Sequence, residues 1–431
     1  MCAIGNRNLG WLLLAALALP LSASAQGLML QGVGPVNRSM GGAAVAAPID
    51  AAGAIRWNPA SISGMGCSEV TFGAELLLQT EDVSSTVPTM GGPISGSTGA
   101  EPGACIIPEV AWVHRDDCSR WTYGLGLYGV AGFKSNYPSS TTNPITMPQP
   151  SGLGRVYADL QVFEVVPTVS YALTPRLSVG FAPVFSMASL NADPLFLAPP
   201  DDANGDTAPT YPHGLGTRYH YGGGFQLGAY YIADDCWRFG ASLKSPTWFE
   251  DFRFHTEDEI GAPRLEKLDF DLPMILSLGF SYTPSPCWLW AVDVRYFDYK
   301  NTNGFGPTGY DSNFAGTGLG WDNVFSVATG LQCQTTERLV LRLGYTYQET
   351  PFSDADTFFN VASPLIIGHI GSVGASYYWR PNIAFNIAYL RGFEGEVSGP
   401  IVPPGIGPIP GSNVTSNVSA DALGAGVTVR Y

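Results

Sequence analysis

Histidine, serine and cysteine often carry out catalysis in enzymes, but in this sequence they form no known catalytic pattern. The five histidines are scattered along the chain. The sequence lacks the Gly-x-Ser-x-Gly turn of hydrolases, the His-Glu-x-x-His zinc motif and a phosphate-binding loop. His220 has serine and threonine in neighbouring predicted strands, which leaves a membrane-embedded lipid hydrolase open as an alternative. We predict that the protein is not an enzyme.

One acidic segment is similar to the beginning of a calcium-binding loop. Asp202, Asn204 and Asp206 alternate along the chain, which spaces three oxygen ligands as in such loops. The sixth position is Thr207 instead of glycine, and the twelfth is His213 instead of glutamate. We therefore predict a turn stabilised by its own side chains. The sequence has no Cys-x-x-Cys motif and no Cys/His cluster, so we predict no metal site and no cofactor.

The cysteines are the other reactive group. Six of the seven follow an N-terminal apolar leader, and an even number is compatible with disulfides in an exported protein. Cys287 begins one predicted strand and Cys333 ends the next. Neighbouring strands lie about 5 Å apart, within reach of a disulfide, so we expect a Cys287–Cys333 disulfide. The same reasoning gives Cys67–Cys118 for the first hairpin and leaves Cys105 without an evident partner.

These residues are positioned by segments in which apolar and polar residues alternate. In the segment 338–348, Leu343 and Tyr345 share one face, whereas Arg338 and Arg342 share the other. A period of two indicates a strand with one apolar face and one polar face. The same pattern recurs in residues 288–298, 382–389 and 421–431.

Two features favour a membrane barrel over a soluble β-sandwich, which shows the same alternation. Tryptophan and tyrosine gather at strand ends, as in the aromatic girdles of outer-membrane barrels. Short turns alternate with long loops rich in Gly, Pro, Asp and Asn, which is the expected asymmetry between periplasmic and extracellular connections. We predict an all-β fold, a transmembrane antiparallel β-barrel of about 14 strands, two of them at 237–254 and 267–283.

The polar strand faces are expected to line the lumen of this barrel. Asp293 and Arg295 lie on such a face, as do Arg338 and Arg342. An arginine in a narrow passage can hold a carboxylate through two parallel hydrogen bonds. Arg338 and Arg342 are therefore candidate substrate-binding residues. The alternative is that these arginines pair with Asp or Glu across the lumen.

The N-terminus carries an export signal. Residues 1–25 contain Arg7, an apolar run of about 13 residues and a small-residue cleavage site at 23–25. The run is shorter than the roughly 20 residues of a spanning helix, and an uncleaved anchor is the alternative. Only 13% of the residues are charged, and removing Arg7 with the leader takes the net charge from −15 to −16. An acidic chain of this kind argues against a nucleic-acid partner.

The residues that follow the leader resemble a known family. The segment 27–63 is rich in Gly and Ala and carries Gly41-Gly42-Ala43, Asp50-Ala51 and Asn58-Pro59-Ala60 in that order. This order resembles the plug segment of the FadL/TodX family of outer-membrane transporters for long-chain fatty acids and aromatic hydrocarbons. Asn58-Pro59-Ala60 taken by itself is also compatible with an ordinary turn.

The resemblance extends over most of the mature chain, with three departures. Asp271-Leu272-Pro273 resembles the strand entry of the family, and residues 371–374 resemble one of its late strands. The chain ends in Tyr431, whereas the family usually ends in Phe. The third extracellular loop, 191–217, is short, and residues 363–367 replace a charged pattern in the sixth loop. These departures affect the expected substrate and not the expected fold.

The resemblance implies three segments, which are a signal peptide at 1–25, a plug inside the lumen at 26–66 and the barrel at 67–431. A barrel of this size leaks unless its lumen is filled, and a segment rich in Gly and Ala can pack compactly there. The expected plug residues are Gly41, Gly42, Asp50, Asn58, Pro59 and Ala60.

The resemblance also implies passive uptake of hydrophobic compounds across the bacterial outer membrane. A ligand would be captured in an extracellular apolar groove, pass the plug as it rearranges and leave laterally through the wall. The alternatives are a polar-solute porin and a structural or adhesive barrel. We expect a monomer whose partners are the hydrophobic ligand, outer-membrane lipid and lipopolysaccharide. The candidate groove residues, which simple loop packing would also explain, are Leu195, Phe196, Leu197, Trp248 and Phe249.

Overall fold

The computed structural model describes residues 27–216 and 218–431, and the predicted signal peptide lies outside the described residues. Its strands are numbered in chain order. Their bounds are Glu69–Val87 (β1), Ile94–Gly99 (β2), Ala104–Arg115 (β3), Trp121–Tyr137 (β4), Val156–Ala172 (β5), Leu177–Asp193 (β6), His220–Ile232 (β7), Trp237–Lys244 (β8), Trp248–Phe249 (β9), Phe252–Glu257 (β10), Pro263–Leu268 (β11), Ile275–Ser285 (β12), Trp288–Phe297 (β13), Val324–Gln334 (β14), Leu339–Gln348 (β15), His369–Arg380 (β16), Ile383–Gly399 (β17) and Asn413–Arg430 (β18).

Fourteen of these strands form a closed antiparallel ring. The order runs from β1 through β3–β8 and β12–β17 to β18. Strand β18 pairs back to β1, from Glu69–Arg430 to Thr86–Asn413, and this ladder closes the ring. Strands β2 and β9 each pair with one barrel strand, and β10 and β11 form a separate hairpin. The predicted fold class is therefore confirmed.

Alternation along the strands directs apolar side chains outward. On β15, Leu343 is 56% exposed and Tyr345 is 39% exposed, whereas Arg342 and Thr346 are buried on the luminal side. Ring closure satisfies the backbone hydrogen bonds between strands, as a lipid environment requires. The apolar face predicted from the sequence is the outer surface of the barrel.

The wall differs from the sequence prediction around the fourth extracellular loop. The strand predicted at 237–254 is only β8, which ends before Pro246. The strand predicted at 267–283 is β12, which begins after Pro273. Proline supplies no N–H group to a ladder, so these positions limit the two strands. The chain between them forms β9 and the β10–β11 hairpin. Strands β1, β17 and β18 extend further than predicted because they continue to pair with one another.

The segment 27–66 lies inside the ring. Asp50 begins the longer of its two helices, because its side chain accepts a hydrogen bond from the backbone N–H of Gly53 at 3.3 Å. All residues of that helix are buried. Among the described residues, no helix is long and apolar enough to cross a membrane. The plug elements are helix α1 (Gly34–Arg38), helix α2 (Ala51–Trp57) and a 3-10 helix (Ser61–Gly64).

The cysteines differ from the expected disulfides. Cys67, Cys118, Cys287 and Cys333 are free thiols in the structure. Cys333 pairs in the ladder with Trp288, and Cys287 lies in the turn before β13. Cys118 likewise lies in the turn after β3. Cys287 lies outside its strand, and Cys67 and Cys118 both lie outside theirs. Neither expected pair therefore occupies opposed ladder positions, and strand spacing does not bring the sulfurs together.

The acidic segment of the third loop forms a turn. Asn204 Oδ1 accepts a hydrogen bond from the backbone N–H of Asp206 at 2.8 Å, and Asp206 Oδ1 accepts one from Ala208 at 2.9 Å. These carboxylate and amide oxygens are thus used within the loop. Across residues 27–216 and 218–431, no group of three or more His, Cys, Asp or Glu residues is placed to hold a metal ion.

Candidate functional site

Asn58 connects two parts of the plug to the barrel wall. Its side-chain Nδ2 donates to the backbone oxygen of Val45 at 2.8 Å and to that of Ala229 on β7 at 2.9 Å. Its Oδ1 accepts a hydrogen bond from the N–H of Ala60 at 3.0 Å. Asn58 is fully buried, so three hydrogen bonds satisfy an amide that would otherwise be costly to bury.

Glycines of the wall allow the plug backbone to approach closely. A Cβ atom at Gly228 would overlap Asn58 Oδ1, and one at Gly240 would overlap the backbone oxygen of Val45. A Cβ at Gly344 would overlap the backbone N of Gly41. The luminal side of several strands therefore needs glycine at the level of the plug, a requirement that the alternating pattern did not reveal.

Gly41 and Gly42 form the turn that places the plug against β15. Their φ angles are +63° and +79°, a region that favours glycine. The side chain of Thr346 donates to the backbone oxygen of Gly41 at 2.7 Å. The N–H of Gly41 donates to Ser372 Oγ at 3.2 Å. The wall therefore forms hydrogen bonds with both the N–H and the carbonyl oxygen of Gly41, the first residue of the predicted glycine pair.

A buried ion pair on β13 holds the middle of the plug. Asp293 Oδ2 accepts hydrogen bonds from the backbone N–H groups of Ala44 at 2.8 Å and Val45 at 3.1 Å. Arg295 donates to the same Asp293 oxygen at 2.9 Å and lies over the ring of Trp57. Both side chains have no exposed surface. The luminal charges predicted on this strand are therefore contacts between the wall and the plug.

Further ion pairs, which the sequence did not indicate, fix helix α2. Arg56 lies 3.3 Å from Glu164 of β5, and Lys244 of β8 lies 2.6 Å from the same carboxylate. At the other end of the helix, Glu69 accepts from the N–H of Ala51 at 2.9 Å. These partners are far apart in sequence, so only the closed ring brings them together.

The beginning of the described chain, residues 27–31, lies against β4 and is called the N-terminal segment below. Met29 forms an isolated bridge with Ala131, and the N–H of Leu30 donates to the backbone oxygen of Val130 at 2.9 Å. The N–H of Gly132 donates to the backbone oxygen of Leu28 at 3.4 Å. The N–H of Leu28 also donates to the Tyr299 hydroxyl at 3.2 Å, and Arg295 donates to the backbone oxygen of Gln31 at 3.3 Å. The segment is therefore attached by hydrogen bonds and contributes no side chain to the buried ion pairs.

The wall beside this segment has a gap in its hydrogen bonding. The β3–β4 ladder ends at Glu109–Tyr128, although β3 continues to Ala104 and still pairs with β1. Strand β4 has a bulge between Gly129 and Ala131. Residues 104–108 and 129–133 border this wall gap. A cavity of about 40 Å³ adjoins it and is lined by Leu30, Cys105, Ile107, Phe133 and Leu160, among others.

An apolar cavity of about 110 Å³ lies under the extracellular loops. Three of the candidate groove residues, Leu195, Phe196 and Leu197, line it. The centroid of the Phe196 ring lies 5.7 Å from that of the Phe359 ring, and the two rings make an edge-to-face contact. None of the residues that line this apolar cavity carries a charge. The others include Leu28, Phe133, Leu160, Phe270, Phe305 and Trp321.

The remaining candidate residues lie elsewhere. Trp248 is 52% exposed on β9, and Phe249 packs against Phe252 of the hairpin. Arg342 is buried below the plug, where it donates to Gln332 at 2.8 Å and Ser376 at 2.7 Å. Arg338 borders an open hollow formed by the β14–β15 and β16–β17 turns and the end of β18. The structure therefore does not bring the two arginines to the apolar cavity.

Comparisons with known proteins agree with this architecture. A search of curated protein sequences gives no match. The toluene transporter TodX of Pseudomonas putida matches with a TM-score of 0.67 at 16% identity, over 94% of this chain and 100% of that one. A FadL homologue of Pseudomonas aeruginosa matches with a TM-score of 0.73 at 15% identity, over 94% and 99%. The toluene transporter TbuX of Ralstonia pickettii gives 0.66 at 17% identity, over 93% and 99%.

At these identities the solved structures establish a shared fold. The family model described as outer membrane protein transport protein (OMPP1/FadL/TodX) matches residues 14–431. The match covers nearly the whole chain, including the plug and all barrel strands. The protein therefore belongs to the OMPP1/FadL/TodX family of outer-membrane transport proteins.

Proposed function

We propose that this protein takes up neutral hydrophobic compounds, in particular small hydrocarbons, passively across the outer membrane. The observation that carries the proposal is the apolar cavity, whose lining includes Phe196, Phe305 and Trp321 and no charged side chain. A carboxylate placed there would lose its hydration without gaining a cationic partner, which is costly. A neutral hydrocarbon needs no such partner, so it is favoured over a fatty acid.

The wall gap supports a lateral route out of the barrel. Phe133 and Leu160 line both the apolar cavity and the smaller cavity beside the gap. Leu28 borders the first of these cavities and Leu30 borders the second. The N-terminal segment therefore lies beside the path between them. An apolar ligand that follows this path reaches the lipid without crossing water.

The attachment of the plug suggests which part moves. Detaching the N-terminal segment breaks hydrogen bonds to Val130, Gly132 and Tyr299, at a net cost of about 0.5–1.5 kcal/mol each. It also breaks the hydrogen bond from Arg295 to the backbone oxygen of Gln31. Displacing the whole plug would also break the buried Arg56–Glu164 ion pair and the hydrogen bonds from the plug backbone to Asp293, at a higher cost. We infer that the N-terminal segment moves during passage while helix α2 and Asn58 stay in place.

The filled lumen argues against a polar-solute porin. Helix α2 and residues 43–47 are buried across the interior, so the described residues leave no open water-filled passage for sugars. We also propose that the protein acts as a monomer that contacts outer-membrane lipid and lipopolysaccharide. Its alternating outer face, with exposed residues such as Leu343 and Ile387, suits contact with lipid.

Equilibrium binding to the purified protein tests the proposed function. We expect radiolabelled toluene to bind and laurate to bind at least tenfold more weakly. Phe196→Ala should weaken toluene binding, whereas Phe385→Ala, at a position 48% exposed on the outer wall, should leave it unchanged. Preferential binding of laurate would contradict the neutral-substrate proposal, and binding of neither ligand would contradict hydrophobic uptake.

A further inference from the structure

A second cavity lies in the lumen on the side of β15–β18 and β1. Its volume is about 110 Å³, and the N-terminal segment and the loop residues 364–367 border it. Leu28 separates it from the apolar cavity, because this side chain lines both. Most of its wall is aliphatic, from Leu77, Ile370, Leu390, Val418 and Ala422. We call it the amide cavity because three glutamines, Gln31, Gln79 and Gln348, belong to its lining.

Two of these glutamines, Gln31 and Gln348, are buried and incompletely hydrogen-bonded. Gln31 is 3% exposed, and its Nε2 has no hydrogen-bond partner among the described residues. Gln348 is 5% exposed and donates from Nε2 to the backbone oxygen of Ile367 at 2.7 Å. That donation identifies Oε1 of Gln348 as the acceptor that lacks a partner in the same part of the chain. One donor and one acceptor without a partner among the described residues thus belong to side chains that line the same cavity.

The charge around this cavity does not favour an ionised ligand. Its lining contains two charged residues, Arg38, whose guanidinium is paired with Glu75, and Asp421, which is paired with Arg391. A carboxylate of Glu109 lies near that pair, with one oxygen unsatisfied. A ligand carboxylate would therefore meet a neutralised cation and a nearby acid.

We propose that the amide cavity binds an apolar molecule carrying one uncharged hydroxyl group, such as a phenol or an alicyclic alcohol. The hydroxyl oxygen accepts from Nε2 of Gln31, and its proton is donated to Oε1 of Gln348. A hydroxyl is the smallest organic group that supplies both an acceptor and a donor, whereas a hydrocarbon leaves both glutamines unsatisfied. The inference rests on the proposed function, since the ligand must enter the lumen of the same channel.

The test compares phenol with toluene, which have the same number of non-hydrogen atoms, on the full-length protein in detergent. Gln31→Met and Gln348→Met remove the donor and the acceptor at nearly constant volume. We expect each to weaken phenol binding about fivefold to tenfold, as for loss of one buried hydrogen bond, and to change toluene binding less than twofold. Gln334→Met, at an exposed position of the periplasmic end, is the matched control and should change neither.

An unchanged phenol-to-toluene ratio in both glutamine variants would overturn the inference, and it is the result expected if only water occupies the cavity. A different result would contradict the proposed function. In that case toluene would not bind, or Phe196→Ala would leave its binding unchanged. If the variants do not fold, competition on the unmodified protein decides. Cyclohexanol should displace phenol at least tenfold better than methylcyclohexane, and equal displacement would count against a hydroxyl site.

Discussion

The guanidinium of Arg295 lies 3.5 Å from the centroid of the Trp57 ring. This contact joins β13 of the wall to the last residue of helix α2. Arg295 also donates to Asp293, which holds the N–H groups of Ala44 and Val45. One buried pair therefore fixes a helix and a loop of the plug together, and the plug is bound to the wall most strongly at its centre.

Removing Arg295 should loosen the plug. Arg295→Ala leaves Asp293 as an unpaired buried carboxylate, and breaking a buried pair in this way typically costs about 3–5 kcal/mol. We expect higher conductance of small ions and faster swelling of proteoliposomes in arabinose. Arg155→Ala, at a partly exposed arginine of an extracellular loop, should leave both unchanged. Unaltered conductance in Arg295→Ala would mean that the other ion pairs are sufficient to hold the plug in the lumen.

Asn58 should stabilise the protein mainly through the two hydrogen bonds that its side-chain Nδ2 donates. Asn58→Ala loses three buried hydrogen bonds, to the oxygens of Val45 and Ala229 and from the N–H of Ala60, which should lower the free energy of unfolding by about 1–3 kcal/mol. Asn58→Asp keeps the size and the acceptor for Ala60 but places a carboxylate against two carbonyl oxygens. We therefore expect the Asp variant to be less stable than the Ala variant in urea titration followed by electrophoretic mobility. The reverse order would indicate that Asn58 acts mainly by filling space.

The wall glycines should tolerate no side chain where they meet the plug. Gly228→Ala would bring a Cβ onto Asn58 Oδ1, and overpacking of this kind costs about 1–3 kcal/mol. We expect the barrel to form while limited proteolysis cleaves the plug faster than in the unmodified protein. Gly66→Ala is the control, because a Cβ there has no neighbour within 4 Å. Equal proteolysis of the two variants would argue that the plug adapts to the added methyl group.

Fixing the N-terminal segment to β4 should stop uptake. Met29 and Ala131 are bridge partners, and opposed residues of antiparallel strands lie about 4.5–5.5 Å apart at Cα, within disulfide range. With Cys105 replaced by Ser, the double variant Met29→Cys/Ala131→Cys should lose toluene uptake when oxidised and regain it on reduction. Met29→Cys with the same Cys105 replacement should transport under both conditions. Uptake by the oxidised double variant would show that the segment need not move.

The barrel was predictable from the sequence because its signal is local. Alternation at residues such as Leu343 and Tyr345 reports one apolar face within a single strand, and short turns report which strands are neighbours. The family resemblance likewise depended on short motifs, above all Asn58-Pro59-Ala60. The early end of β8 before Pro246 was missed because the segment that follows it remains rich in aromatic residues, whereas Asp271-Leu272-Pro273 did mark the entry to β12.

The contacts that make the site were decided by the tertiary structure. Local sequence patterns were enough to predict the closed barrel, the luminal face of Arg295 and Asp293, and the apolar character of the residues around Phe196. They did not determine that Asp293 binds the plug backbone or that Arg56 pairs with Glu164, because those partners lie far apart along the chain. Their approach depends on the register of the closed ring, which no local pattern encodes, and ring closure is what places the N-terminal segment beside the wall gap.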